Sequence, residues 1–167
     1  AISEITSSTS LFMNKQATLS NLMKNASGSR VVHLATHGYL NERAPEESSI
    51  LLADNKLTMP QIFNLPLDKT DMIVLSACET GKGASKGMEY ATIARAFANA
   101  GSPTVLATLW KVDDIATREL MVNFYGELKD GSSKLMALTN AQRQFLKTQK
   151  DKNHPYYWAA FILMGKP

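Results

Sequence analysis

Cys78 is the only cysteine in the chain. It stands where an apolar run gives way to a glycine-rich loop, Met72-Ile73-Val74-Leu75-Ser76-Ala77-Cys78-Glu79-Thr80-Gly81. A second apolar run, Val31-Val32-His33-Leu34-Ala35-Thr36, stops in the same way at His37-Gly38. A thiol and an imidazole, each at the carboxyl end of a buried strand, are what nucleophilic cysteine chemistry needs, the imidazole taking the proton and the thiolate attacking. In open α/β sheets that edge is where sites are built. Backbone N–H groups freed at a strand end can bind an oxyanion, and glycines let a substrate approach closely. A lone cysteine is more often inert packing, but Cys78 falls after its strand and not within it. The same test separates the histidines. His33 lies mid-strand and fits a hydrogen-bonded core histidine, His154 precedes Pro155 in a turn and reads as structural, and His37 at the strand end is the better base. His37 and Cys78 are 41 residues apart, so only the fold can bring them together.

The elements that must position them follow from periodicity and punctuation. Residues 11–25 carry Leu19, Leu22 and Met23 at helical spacing, ended by Ser27-Gly28-Ser29. The run 31–36 is apolar at nearly every position, which predicts an interior strand of a parallel sheet, buried on both faces. Nothing of comparable strand character precedes it, so its outer edge lacks an obvious partner in the chain. Residues 50–53 and those after Asp54-Asn55 read as a short hairpin. Thr58-Met59-Pro60-Gln61 has the form of a capping box, with Leu57 and Ile62 as its hydrophobic staple. A strand over 72–77, a helix from about Met88 to Gly101, and a strand over 104–109 come next. Asp113 or Asp114 then caps a helix that stops near Gly131. A further helix bears Leu135, Leu138, Phe145 and Leu146, and Trp158 to Met164 forms a last strand. Strands alternating with helices predict a mainly parallel sheet in a three-layer α/β fold.

Composition narrows the class without naming a function. The chain has 167 residues, 44% hydrophobic and 20% charged, as expected of one globular domain. No stretch approaches the roughly 18–20 apolar residues of a membrane span. The first residues lack the basic start and apolar run of a signal peptide. A single cysteine forms no internal disulfide and fits a reducing, cytoplasmic setting. The net charge of +3 comes from scattered lysines, loosely clustered at Lys147, Lys150 and Lys152, which read as a solvated helix end and not as a nucleic-acid surface. No Cys/His cluster has zinc spacing. The loop Gly81-Lys82-Gly83-Ala84-Ser85-Lys86-Gly87 is a variant of the dinucleotide-binding fingerprint, with Asp113 after the next strand. A lone glycine pattern is a weak signal.

Four blocks taken together are far more specific. His33-Leu34-Ala35-Thr36-His37-Gly38, Leu75-Ser76-Ala77-Cys78-Glu79-Thr80-Gly81, Leu109-Trp110-Lys111-Val112-Asp113-Asp114 and His154-Pro155-Tyr156-Tyr157-Trp158-Ala159-Ala160-Phe161 resemble the successive blocks of the CHAT domain, in the family's order. CHAT domains are caspase-like and are often found in bacteria beside tetratricopeptide repeats. The resemblance implies a caspase-like, separase-like cysteine endopeptidase with a His–Cys dyad, the base at His37 and the nucleophile at Cys78. It needs no metal or organic cofactor. The N–H groups of Gly38 and Cys78 are then the expected oxyanion donors. The Leu-Trp-x-Val-Asp-Asp block is similar to the separase segment that supplies an acidic residue to the pocket for the side chain before the cut. That points to Asp113 and, better placed, Asp114, with Glu79 and Trp110 also expected at the substrate and a basic residue before the cut. The family's Gly-Glu-Gly turn is replaced here by Lys86-Gly87-Met88-Glu89. The chain is expected to be the C-terminal part of a larger domain or protein, without the family's N-terminal strands. The expected partners are a protein substrate and an upstream tetratricopeptide or regulatory region, with no nucleic acid and no membrane. The competing readings are a non-catalytic caspase-like interaction module and a dinucleotide-binding domain using loop 81–87.

Overall fold

The apolar runs become strands of one sheet, and their alternate residues feed two separate cores. The computed structural model describes residues 9–39, 41, 43–76 and 88–166. In chain order its elements are α1 (Leu19–Ala26), β1 (Val31–Leu34), β2 (Gly38–Tyr39), β3 (Ser49–Leu51), β4 (Lys56–Thr58), α2 (Met59–Phe63), β5 (Met72–Leu75), α3 (Met88–Asn99), β6 (Thr104–Thr108), α4 (Asp114–Lys129), α5 (Lys134–Thr148) and β7 (Phe161–Gly165), joined in places by short 3-10 turns. The main sheet has the order β1-β5-β6-β7, and β2, β3 and β4 form a small second sheet. β1–β5 and β5–β6 are parallel, whereas β6–β7 is antiparallel.

Side chains alternate across a strand. Ile73, Leu75, Val105 and Ala107 therefore pack with α2 and α3, around Ile62, Ile93 and Phe97. Met72, Val74 and Leu106 pack on the other side, with Leu120, Phe124 and Phe145 of α4 and α5. Helices on both faces of a mainly parallel sheet are the three layers that the strand–helix alternation predicts.

Local chemistry fixes the element ends. The Gln61 side chain accepts the Thr58 backbone N–H at 2.8 Å, and the staple residues Leu57 and Ile62 are buried. α3 gives way to Gly101, at φ 117°, where an added Cβ would lie 3.0 Å from the Leu67 backbone. The Asp113 carboxylate accepts the Ala116 N–H and caps α4.

Three expectations need correction. The first helix covers only Leu19–Ala26, because the Thr18 hydroxyl accepts the Asn21 N–H and starts the helix there. β1 is not buried on both faces along its length, Val31 being 38% exposed, although, as expected, no described residue pairs with its outer side. The last strand starts at Phe161 and runs antiparallel to β6. Its direction follows from the connection: one crossover helix returns the chain for a parallel strand, whereas the α4–α5 hairpin adds a second traverse and reverses it. Among the described residues no helix is long and apolar enough to cross a membrane.

Candidate active site

Because β1, β5 and β6 run parallel, their carboxyl ends share one edge of the sheet. Ser76 follows β5 there, the segment 109–114 follows β6, and His37 lies three residues beyond the end of β1. Every residue of β1 pairs with the residue 41 positions later, from Val31↔Met72 to Leu34↔Leu75. The register starts one residue earlier, where the Arg30 guanidinium meets the Asp71 carboxylate and the Asp71 N–H bonds to Arg30 O at 2.7 Å. It runs on through the Ser76 N–H, which bonds to Leu34 O at 3.3 Å.

Past Leu34 the first chain leaves the main sheet for the second. The Thr36 hydroxyl donates to Leu51 O at 2.6 Å, and the Leu51 N–H donates to His37 O at 2.7 Å. These bonds pin the main chain of His37 against β3 while leaving the residue exposed. Gly38 opens β2 opposite Ile50. Cys78, Glu79 and the glycine loop 81–87 lie outside the described residues.

His33 is the hydrogen-bonded histidine that its mid-strand position suggests. Its Nε2 lies 2.7 Å from Ser76 Oγ and its Nδ1 lies 3.1 Å from the Tyr125 hydroxyl. The His33 and Tyr125 rings stack with centroids 5.8 Å apart. Burial pushes the imidazole down to about 4, so the ring is neutral at physiological pH. Burial also raises the Tyr125 phenol above its ordinary range and keeps its proton in place. His154 caps the 3-10 turn Pro155–Tyr157, its Nδ1 accepting the Tyr156 N–H at 3.2 Å.

The expected substrate residues separate. Oδ1 of Asp113 takes both the Ala116 N–H at 3.0 Å and the Lys152 ammonium at 2.8 Å. The Lys152 bond first, and the helix N–H second, hold this carboxyl below its ordinary value. Asp113 is thereby engaged within the fold, whereas Asp114 is the exposed first residue of α4. The Trp110 indole donates to Tyr156 O at 2.9 Å and ties the strand end to the turn before β7. Sequence reading missed Ser76, Tyr125 and Lys152. Tyr125 sits among apolar residues at helical spacing and carries no local sign that its hydroxyl meets a histidine 92 residues away.

Comparison with known proteins gives a match to the CHAT domain over residues 1–166. The chain is 30% identical over 109 residues to tetratricopeptide repeat protein 28 of Mus musculus. It is 29% identical over 109 residues to tetratricopeptide repeat protein 28 of Homo sapiens. Each alignment covers 65% of this chain and 4% of the relative, so the chain spans a small part of these proteins. With that match along residues 1–166 and a three-layer fold around a mainly parallel sheet, the chain belongs to the CHAT domain family and has its caspase-like fold.

Proposed function

We propose that this domain is a cysteine endopeptidase in which His37 is the base and Cys78 the nucleophile. The observation that carries the reading is the parallel pairing of β1 with β5 at an offset of 41 residues, the same separation as that of His37 and Cys78 in the sequence. In this reading, the adjacent parallel strands that precede the two residues end at the edge where α/β sites are built.

In the proposed reaction His37 takes the proton of the Cys78 thiol and the thiolate adds to a peptide carbonyl. The N–H groups of Gly38 and Cys78 receive the oxyanion. Collapse of the tetrahedral intermediate breaks the C–N bond, and His37 returns its proton to the leaving amine. Water, deprotonated by His37, then hydrolyses the thioester. Asp114, beyond the end of β6, is the preferred acceptor for a basic side chain before the cut. Asp113 is the weaker candidate, because Lys152 already occupies it. Glu79 and Trp110 complete the proposed substrate-binding set. The proposed partner is an upstream tetratricopeptide or regulatory region, and the names of the tetratricopeptide repeat relatives are consistent with such an association.

A peptide electrophile with arginine before its warhead tests the reading. It should label Cys78 in the wild type and fail to label a folded His37→Ala protein. Cys78→Ala and His37→Ala should each abolish cleavage of peptide libraries. Undiminished cleavage by a folded Cys78→Ala protein would falsify the dyad.

A further inference from the structure

We propose that His33 is a positioning residue for this cysteine chemistry: through Ser76 and Tyr125 it holds the strand end that leads into Cys78 against the strand that leads into His37. The inference rests on the dyad reading and adds to it a group that touches neither the substrate nor the reacting atoms.

Three observations carry it. First, backbone pairing between β1 and β5 runs out near this level: the Ser76 N–H to Leu34 O bond at 3.3 Å is longer than an ordinary ladder bond. Beyond it the first chain turns away to bond with β3 through Thr36 and His37. The His33–Ser76 side-chain bond at 2.7 Å is thus a second tie between the two strands at the place where the ladder weakens. Second, Ser76 is two residues before Cys78 and His33 is four before His37. A shift of this pair is therefore carried a short way along the chain to both reacting groups. Third, the imidazole is braced from the opposite side, where the Tyr125 hydroxyl meets Nδ1 at 3.1 Å and the phenol ring stacks on it. Edge strand, inner strand and α4 are joined through one ring.

Packing alone does not call for this arrangement. A valine or leucine at position 33, opposite Val74 in the ladder, would avoid desolvating an imidazole. Both partners are hydroxyls, so a neutral ring donating at one nitrogen and accepting at the other satisfies them in either tautomer. The depression of His33 comes from burial alone. Tyr125 is the titratable group that meets the ring from α4, and Ser76, at the end of β5, carries no charge.

Alkylation of Cys78 by iodoacetamide, followed across pH by mass spectrometry of its peptide, reads the positioning without a substrate. In the wild type the rate should titrate below the range of an ordinary thiol, about 8.5, and His37→Ala should restore that ordinary range. Folded His33→Phe and Tyr125→Phe proteins should move the profile toward that of His37→Ala and slow alkylation at neutral pH by about 10- to 100-fold, the effect of a displaced reacting pair. His33→Gln, which can still donate to Ser76, should recover much of the wild-type rate. Tyr125→Phe removes a single oxygen and guards against loss of the fold in His33→Phe. If His37→Ala shifts the profile while folded His33→Phe and Tyr125→Phe keep the wild-type one, the inference is overturned and the dyad stands. If His37→Ala itself leaves the profile unchanged, the dyad reading falls and takes the inference with it.

Discussion

Asp113 and Asp114 are neighbours in sequence with different surroundings. The carboxylate of Asp113 caps α4 and pairs with Lys152, while Asp114 sits exposed at the first turn of the same helix. An N-cap aspartate is worth about 1 kcal/mol, and a partly exposed ion pair adds little more. Asp113→Ala should therefore lower stability by about 1 kcal/mol in urea titration. Asp114→Asn should leave stability unchanged within error. In a peptide library Asp114→Asn should instead weaken the preference for arginine or lysine before the cut. If the wild type prefers an apolar residue there, or if the variant keeps its basic preference, Asp114 does not set specificity.

At the scale of elements, the end of β7 is constrained by backbone geometry. Gly165 pairs with Thr104 at φ 99°, and an added Cβ would run into the Pro103 carbonyl oxygen. The next residue continues the contact, the Lys166 N–H bonding to Pro103 O at 2.9 Å and its carbonyl accepting the Thr104 hydroxyl at 2.7 Å. Gly165→Ala should cost about 1–3 kcal/mol, the usual range for a strained backbone position, and lower the unfolding midpoint in thermal melts. An unchanged midpoint would mean that the strand end relaxes freely. β1 stands at the opposite edge with its outer side unpaired among the described residues. A free edge is a place where another strand can add. The unpaired outer side is as the sequence leads one to expect, since no run of strand character precedes residues 31–36. The exposure of Val31 is not legible in an apolar run, because hydrophobicity reports an average tendency to burial and not the cover at each position.

For the molecule as a whole, His33 links pH to stability. Its folded-state value, about 4, lies below the ordinary 6.5, so the native state favours the neutral ring and the unfolded chain binds the proton more readily. The stabilisation is complete above about pH 6.5 and is lost as pH falls from 6.5 toward 4, in total on the order of 3 kcal/mol. The two cores share one sheet, so unfolding should be a single transition. Denaturation at pH 7.5, 6, 5 and 4 should show this loss in the wild type, and His33→Gln should flatten the dependence in that window. A wild-type curve with no fall attributable to His33 would show that the ring takes up its proton without leaving the fold.

Much was legible in the sequence because it depends on neighbours close along the chain. The apolar runs gave β5 and β6, Thr58 and Gln61 gave the start of α2, Asp113 gave that of α4, and Gly101 and Gly131 gave helix ends. The two strand ends also singled out His37 and Cys78 as candidates, and four ordered blocks pointed to the family. What the sequence could not supply was the choice of partner across long separations. His33 meets Ser76 43 residues away and Tyr125 92 residues away, and Asp113 meets Lys152 39 residues away. Those contacts depend on strand order, on the face of α4 laid against the sheet, and on the α4–α5 hairpin that returns the chain antiparallel as β7. Periodicity and capping act within a turn or two of the backbone; only the assembled sheet decides which buried hydroxyl a histidine finds.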